Sequence, residues 1–510
     1  MSAIITEKFR RHQATQFYES FSETASNKYY LMICKSTPFT AGTSGGTDES
    51  PATPADDVAS EYYAWDHAVA LKNVASTDVN YAVPRRDWAN STVYDMYEHN
   101  VSSSNLTTSG ASTIYQSTFF FRTSDNRIYK VLDNNGGAAY SGVEPTSTST
   151  APFELGGYTL KYMYTISASD QTKYLTTDFM SVTTDATVSA AATDGAIESL
   201  VVTAGSGYTN GTYYAAVYGD GTSQGTASGA VVSIVVGSGS INVFGLAAGT
   251  DTTVYDGGTG YTYGTVNLGS SYTFSDAALT SAASMGSGSG GAVSVVIGPK
   301  GGHGYDAVNE LGGHYVMMRT TLTGAENDDI LSGNDFRTIS VVTDPTTYGT
   351  STVASDETYR QVYALKLTSV TGTFTPDEKI TQATTAAIGK VVEWDSTRSI
   401  LYYQQERFAD YGTNSTTGAF IAFSGAYVVT GASSTAAGTP DAAADSAVTL
   451  AGGNSITFTN GYANPELQPD SGNIVYQENR KPIGRASDQT EDIKIIAVSY
   501  THLRAHETLR

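Results

Sequence analysis

The chain has 510 residues, of which 15% are charged, with 28 Lys and Arg against 50 Asp and Glu and a formal net charge of -22. A field of that sign repels polyphosphate and excludes duplex nucleic acid as a primary partner, while the single cysteine, Cys34, excludes an internal disulfide framework and a cysteine-based zinc site. The length allows roughly three domains of about 150 residues each, and the abundance of Thr, Ser, Gly and Tyr favours strands and tight turns over long helices.

The expected fold class is therefore mainly β with a few helices (α+β), multi-domain, built of antiparallel sheets and β-sandwich modules with inserted β-rich domains. "MSAIITEKFRRHQ" at the start carries charges where a signal peptide needs its apolar stretch, and nowhere do about 18 consecutive apolar residues occur. The expectation is a soluble protein made in a cytoplasm, without membrane insertion.

Ile5, Phe9, Phe17 and Phe21 recur at multiples of four with Lys8, Arg11 and Gln16 between them, which predicts an amphipathic helix over 6–21. Thr6 is placed to cap it, and Glu7 suits its positive end. "KYYLMICKSTPF" follows as a strand-like run ended by Pro38, and 40–57 is loop by composition.

"VPRRDW" at 83–88 is unusual in so acidic a chain. Pro84 fixes its own φ and pushes Val83 towards an extended conformation. If the strand continues, Arg85 and Asp87 share one face while Arg86 and Trp88 share the other. Each face then holds an ion pair or a cation–π contact, a structural knot rather than a phosphate site. From 112 to 180, "TIYQSTFFFRT", "IYKVLD" and "YTLKYMYTI" read as strands of an antiparallel sheet, and "DNNGG" at 133–137 is a turn. These elements make 1–188 an N-terminal core.

Composition then shifts to Gly, Ser, Thr and Ala. "AGSGYTNGT", "GGTGYTYGT" and "GGHGYDAV" couple Gly-x-Gly-Tyr turns to strand-like runs, predicting an inserted Gly/Tyr-rich β-repeat module over 189–312, with glycines supplying positive φ. The chain returns to the core over 313–360. A second insert over 361–430 has the pattern of a small β-barrel or sandwich, 431–470 reads as an irregular extension, and 471–497 as a C-terminal core strand. Within the last segment "GRASDQTEDIKII", which includes Asp488, ends the core as a strand, and Glu478, Asn479 and Arg480 fall in a turn-like stretch before it. "VSYTHLRAHET" reads as an in-frame translation of a common sequencing adapter, so 498–510 is expected to be an assembly artefact and His502 and His506 are set aside.

His12, His67, His99, His303 and His314 show no HExxH and no pair at i+3 or i+4, so they read as isolated core or surface histidines. Gly-x-Ser-x-Gly occurs around Ser44 and Ser223, but neither has the strand before and helix after that a nucleophile elbow needs. "GGHGYDAVN" matches the calcium-binding nonapeptide, with Asp306 the first candidate ligand. A β-roll needs several tandem copies, and a glycine turn ending a hairpin is the simpler account. Glu326, Asp328 and Asp329 read as solvated turn carboxylates. No catalytic residue, metal or cofactor is implied.

Four stretches together resemble a known family. "AIITEKFRRHQATQFYESF", "AVPRRDW", "NDFRTISVVTDP" and "IVYQENRKPIGRASDQTEDIKII" are similar to the baseplate wedge subunit of T-even-type contractile-tailed bacteriophages, the product of their gene eight. The resemblance covers roughly 3–185, 313–345 and 470–497, and leaves the two β-rich stretches as family-variable insertions. It implies a non-enzymatic virion protein, a homodimer that joins other wedge subunits around a central hub. It also implies that Pro84, Arg85, Arg86, Asp87, Trp88, Glu478, Asn479, Arg480 and Asp488 belong to structural or interface motifs. The 35 tyrosines suit that role, because Tyr buries area at low entropic cost. The rival reading is a tail adhesin or receptor-binding protein acting through the inserts; a polysaccharide-degrading enzyme would need a carboxylate pair that no motif singles out.

Overall fold

The computed structural model describes residues 6–23, 27–39, 46–219, 229–243, 251–269, 271–275, 278–407, 412–414 and 416–498. Ser44, Ser223, His502, His506 and the adapter-like tail beyond Val498 lie outside them. The fold is mainly β, with 41% of residues in strands and 11% in helix, arranged in several antiparallel sheets and a β-barrel. Two compact units form: Met1–Ala14 with Asn80–Val316, and Thr15–Val79 with Met317–Arg510. Among the described residues no helix is long and apolar enough to cross a membrane.

The first unit contains a four-stranded antiparallel sheet in the order Phe120–Arg122, Arg127–Asp133, Tyr158–Thr165, Phe153–Leu155. Its strands are buried on both sides, with Phe121, Tyr129, Val131, Tyr158 and Leu160 in one apolar cluster and Phe120, Ile128, Met163 and Tyr164 in another. The "DNNGG" turn forms because Asn135, Gly136 and Gly137 all take positive φ (56°, 63° and 87°), a region open to Asn and Gly.

Ile197–Ser206 and Ser289–Ile297 pair antiparallel from Ile197↔Ile297 to Ser206↔Ser289, so the Gly/Tyr-rich segment leaves and re-enters the unit at one point. Between them runs a sheet in the order Ser240–Ile241, Val231–Gly237, Gly211–Gly219, Ser271–Ser275, Ala278–Ala283. Leu200, Val217, Val232, Ile234 and Val295 share its core. Gly205 takes φ +62°, and a Cβ there would collide with the Gly291 backbone nitrogen, so two glycines let the closing strands meet.

The second unit is built on a five-stranded sheet, Thr358–Arg360, Ala68–Asn73, Tyr29–Cys34, Asp335–Thr343, Asn473–Gly484, antiparallel throughout. Tyr29–Cys34 is buried at every residue. Trp65, on the helix Val58–Asp66 that Asp57 caps through the Ser60 amide at 2.8 Å, packs with Tyr30, Leu71 and Tyr359.

The barrel closes in the order Tyr363–Thr371, Ile400–Gln404, Ala387–Asp395, Lys379–Gln382, Val429–Gly431, Ala437–Pro440 and back to Tyr363–Thr371. Leu365, Ile380, Val391, Leu401 and Tyr403 fill it. The stretch 431–470, expected to be irregular, therefore contributes a barrel strand and three more short ones, Ala447–Thr449, Ser455–Thr457 and Tyr462–Ala463. Its Ala, Gly and Thr residues carry no strong β pattern; Ala437–Pro440 and Tyr462–Ala463 take a ladder from the distant Tyr363–Thr371, while Ala447–Thr449 and Ser455–Thr457 pair with each other.

Two local elements also differ from expectation. The first helix covers Glu7–Glu19, and its N-terminus is held as expected by the Phe9 amide on Thr6 Oγ1 (3.3 Å). Phe9, however, stays 46% exposed, and Phe17 and Phe21 instead pack on Tyr29 with ring centroids 5.6 and 4.0 Å away. Glu478, Asn479 and Arg480 are not in a turn but inside the strand Asn473–Gly484, because the buried strand Asp335–Thr343 pairs with the first two (Ile339↔Glu478, Thr338↔Asn479) and Arg480 continues the strand at the register break that follows.

A pair of alanine substitutions separates backbone strain from close approach. Gly110 takes φ +86°, and nothing lies within 4 Å of the place a Cβ would occupy, so Gly110→Ala incurs only the left-handed cost, about 1–2 kcal/mol. Gly205→Ala must also part the closing strands, and its thermal midpoint should fall clearly further, as read by circular dichroism.

Candidate functional site

Pro84 ends the strand Val79–Pro84, which pairs through Ala82, Val83 and Pro84 with Ser181, Met180 and Phe179. The extended backbone continues: the Arg85 amide donates to Asp178 O (2.7 Å), and Asp87 forms a β-bridge with Arg122. Alternation then puts Arg85 and Asp87 side by side. The Arg85 Nη2 donates to Asp87 Oδ2 at 2.7 Å, Arg122 Nε donates to Asp87 Oδ1 at 2.8 Å, and Arg85 Nη1 reaches Thr176 O at 2.8 Å.

Arg86 lies on the opposite side, with its Nη2 on Tyr115 O (3.2 Å) and its guanidinium 4.4 Å over the Phe120 ring. Burial pushes that guanidinium down to about 10. Trp88 does not serve as its aromatic partner; it meets Tyr140 edge-on at 5.8 Å, and its amide donates to Arg122 O. Arg85 is thus engaged with protein acceptors and Arg86 is held through Nη2 and the Phe120 ring, its buried Nη1 having no hydrogen-bond partner, and the geometry is that of a brace between strands.

Glu478, Asn479 and Arg480 belong to the other unit. Asn479 accepts from Thr338 Oγ1 (2.8 Å) and donates to Ala52 O (2.9 Å), while Glu478 Oε2 accepts from Tyr476 (2.6 Å) and faces Arg480 Nη1 at 3.5 Å. Their strand is the last in its sheet, and register breaks fall on both sides of 476–479. Lys481 and Pro482 occupy one of the breaks. A bulge, a charge and a proline are the devices that keep a sheet edge from pairing indiscriminately. Asp488 is exposed in the turn before the final strand, Thr490–Val498.

The glycine turn of "GGHGYDAVN" shapes a buried polar group. It carries His303 inward, where Lys130 Nζ donates to His303 Nδ1 (2.7 Å) and to Glu310 Oε2 (2.8 Å) and lies 4.0 Å over the Tyr97 ring. Glu310 Oε1 accepts the Gly304 amide at 2.8 Å. Burial pulls the Lys130 ammonium down against the pull of Glu310, and burial beside that lysine holds His303 well below its usual range. Asp306 caps the short helix Ala307–Glu310 through the Asn309 amide (3.0 Å). Among the described residues no group of three His, Cys, Asp or Glu side chains is placed to hold a metal ion.

A second buried group forms in the other unit, where His67 Nε2 lies 3.2 Å from Glu406 Oε1 and burial again lowers the imidazole. Asp329 departs from the solvated-turn expectation. It is 6% exposed, accepts from Thr358 Oγ1 (2.6 Å) and Asn454 Nδ2 (3.2 Å), and burial raises it to about 6. Lys130, Glu310 and Glu406 form no local motif, because their partners lie far along the chain. One signal was available: Lys130 interrupts the apolar face that Ile128 and Leu132 share in "IYKVLD".

In the first unit a groove of about 1130 Å³ is lined by Tyr97, Glu98, His99, Tyr115, Asp194 and Tyr305, among others, a surface of mixed polarity. Neither "PRRDW" nor "ENR" lines it.

Partial burial alone would raise the Asp87 carboxyl, but hydrogen bonds from Arg85 and Arg122 outweigh it and hold the group below the ordinary carboxylate range. The stability it contributes is present above the unfolded-state pKa and is lost as pH falls through the folded one. Asp87→Asn should therefore cost about 1 kcal/mol near neutrality, the range of a partly exposed ion pair. Urea unfolding at descending pH should show the gap between variant and parent closing in the acid range.

A search of curated proteins found no match to the chain. Residues 3–133 match the family model described as bacteriophage T4, Gp8, a segment that includes the Glu7–Glu19 helix, the buried strand Tyr29–Cys34 and the whole of "PRRDW". That family is a phage baseplate one, and the match supports a structural reading of this segment. Residues 3–133 are thus similar to the family of the phage baseplate wedge subunit Gp8.

Proposed function

We propose that the chain is a non-enzymatic wedge subunit of a contractile tail. In this reading it is made in the host bacterial cytoplasm, forms a homodimer, and assembles with other wedge proteins around the central hub of the baseplate. The family match over residues 3–133 carries the reading. The geometry is in keeping with it: the most distinctive motif in that segment is a strand brace whose arginines are already engaged by protein groups. Pro84, Arg85, Arg86, Asp87 and Trp88 then act by holding a surface in shape, and Glu478, Asn479, Arg480 and Asp488 by shaping a sheet edge and the turn that follows it.

A second reading, adhesion through the inserts, is favoured by Tyr255 and Tyr263 on the Gly/Tyr-rich module, 53% and 61% exposed. Large aromatic rings left in solvent are the usual anchors of a recognition surface.

Native mass spectrometry of residues 1–497, alone and co-expressed with the other wedge proteins of the same genome, tests the first reading. A dimer that enters a defined hetero-complex is expected. A monomer or trimer that ignores those partners overturns it.

A further inference from the structure

Lys130, His303 and Glu310 form a buried group in the first unit whose chemistry a wedge role leaves unused. All three are buried, Lys130 completely. Lys130 Nζ stands between the other two, 2.7 Å from His303 Nδ1 and 2.8 Å from Glu310 Oε2.

The arrangement has more parts than an ion pair needs. An ammonium has donors only, so His303 accepts at Nδ1 and is a base in direct contact with the amine. Burial pulls the Lys130 ammonium down, which favours the neutral and nucleophilic amine. On the carboxyl, the amides of Gly304 (2.8 Å) and Asp306 (3.3 Å) both donate to Oε1, the oxygen that does not face the lysine. Two amides on one oxygen are the donors that steady a tetrahedral intermediate in acyl transfer. With amine, base and polarised carboxyl already in contact, a bimolecular encounter becomes an intramolecular step.

We propose that Lys130 and Glu310 condense into an intramolecular isopeptide bond, with His303 carrying the protons. The bond from Nζ to Glu310 Cδ forms, and the bond from Cδ to Oε2 breaks. His303 Nδ1 relays two protons in turn from Nζ to Oε2 and ends neutral, as it began. Oε2 leaves as water with those two protons, the third stays on the amide nitrogen, and Oε1 becomes the amide oxygen under Gly304 and Asp306. No oxidant or co-reactant enters. Glu310 also lines the groove of about 1130 Å³ in this unit, which gives the water an exit.

The bond ties the strand Arg127–Asp133 to the helix Ala307–Glu310, on either side of the whole Gly/Tyr-rich module. Load on that module is then borne by a covalent loop as well as by strand hydrogen bonds. This chemistry is additional to a wedge role and does not depend on it. Lys161 and Glu198 supply an internal comparison: Nζ and Oε1 are 3.5 Å apart, and among the described residues no imidazole or backbone amide hydrogen-bonds to that pair. It should stay unlinked.

Intact mass spectrometry and peptide mapping of the folded full chain, produced alone, are the test. The mass should fall short of the sequence mass by one water, trypsin should fail to cut after Lys130, and a branched peptide should join Lys130 to Glu310. Lys130→Met should carry its full sequence mass. His303→Phe, which keeps the amine and the carboxyl, should leave most chains unlinked directly after purification. If either variant fails to fold by circular dichroism, the mass and peptide map of the parent decide alone. A folded parent at full sequence mass overturns the proposal, as does a water loss that maps to Lys161 and Glu198 or to an aspartyl succinimide. A folded His303→Phe chain linked as completely as the parent overturns the role given to the imidazole. Wedge assembly, read by native mass spectrometry, stands or falls separately.

Discussion

Pairing of Tyr29–Cys34 with both Ala68–Asn73 and Asp335–Thr343 is the constraint on which the second unit depends. A strand buried at every residue has no solvent face, so both edges and both faces must be supplied by the rest of the chain. One edge is filled from nearby in sequence and the other from beyond the entire first insert. Closing so long a loop costs entropy, but that cost grows only logarithmically with length. The long excursion is therefore tolerable once burial of the apolar run "YYLMIC" favours its return.

The same logic explains how two large inserts sit in one chain. Ile197–Ser206 and Ser289–Ile297 are hydrogen-bonded neighbours, so whatever lies between them begins and ends at the same place. The barrel repeats the device: its opening strand, Tyr363–Thr371, pairs with Tyr462–Ala463 near the point where the chain rejoins the sheet. Each insert is built round an apolar core, to which the anchoring strands of the first contribute Leu200 and Val295. A module anchored in this way can change in length or sequence while the host strands keep their register. The Gly205–Gly291 approach is the narrow part of the arrangement, since any side chain there pries the two anchoring strands apart.

Much of this was legible because it is local. Alternation along "PRRDW" gave the Arg85–Asp87 pair from nothing more than the period of a strand, and the Gly-x-Gly-Tyr turns take the positive φ angles their composition requires. Non-local choices were hidden. Arg86 has Phe120 rather than Trp88 for its ring, because the neighbouring strand places Phe120 closer than the side chain two residues on. Glu478, Asn479 and Arg480 have the polarity of a turn, yet the buried strand that pairs with the first two dictates extension. In 431–470 the barrel strand Ala437–Pro440 consists of small residues and a proline, and its β signal is its partner. The helix Val58–Asp66 is short, and only Ala64 and Trp65 are buried, too little for a helical period to emerge.

The buried Lys130–His303–Glu310 group is the furthest from anything local, and it explains why the glycine turn before it has the sequence it does. Desolvating three polar groups is expensive, and the attraction between Lys130 and Glu310 offsets that only if the remaining lone pairs and protons are used. The backbone does much of this: the amides of Gly304 and Asp306 both donate to Glu310 Oε1, and Gly301, Gly302 and Gly304 all take φ near +90° to bring the loop round. A neutral imidazole accepting from Lys130 at Nδ1 joins the group without adding a second buried cation, although its buried Nε2 has no hydrogen-bond partner. A motif that resembles a calcium loop in sequence here serves to solvate a carboxylate with backbone amides.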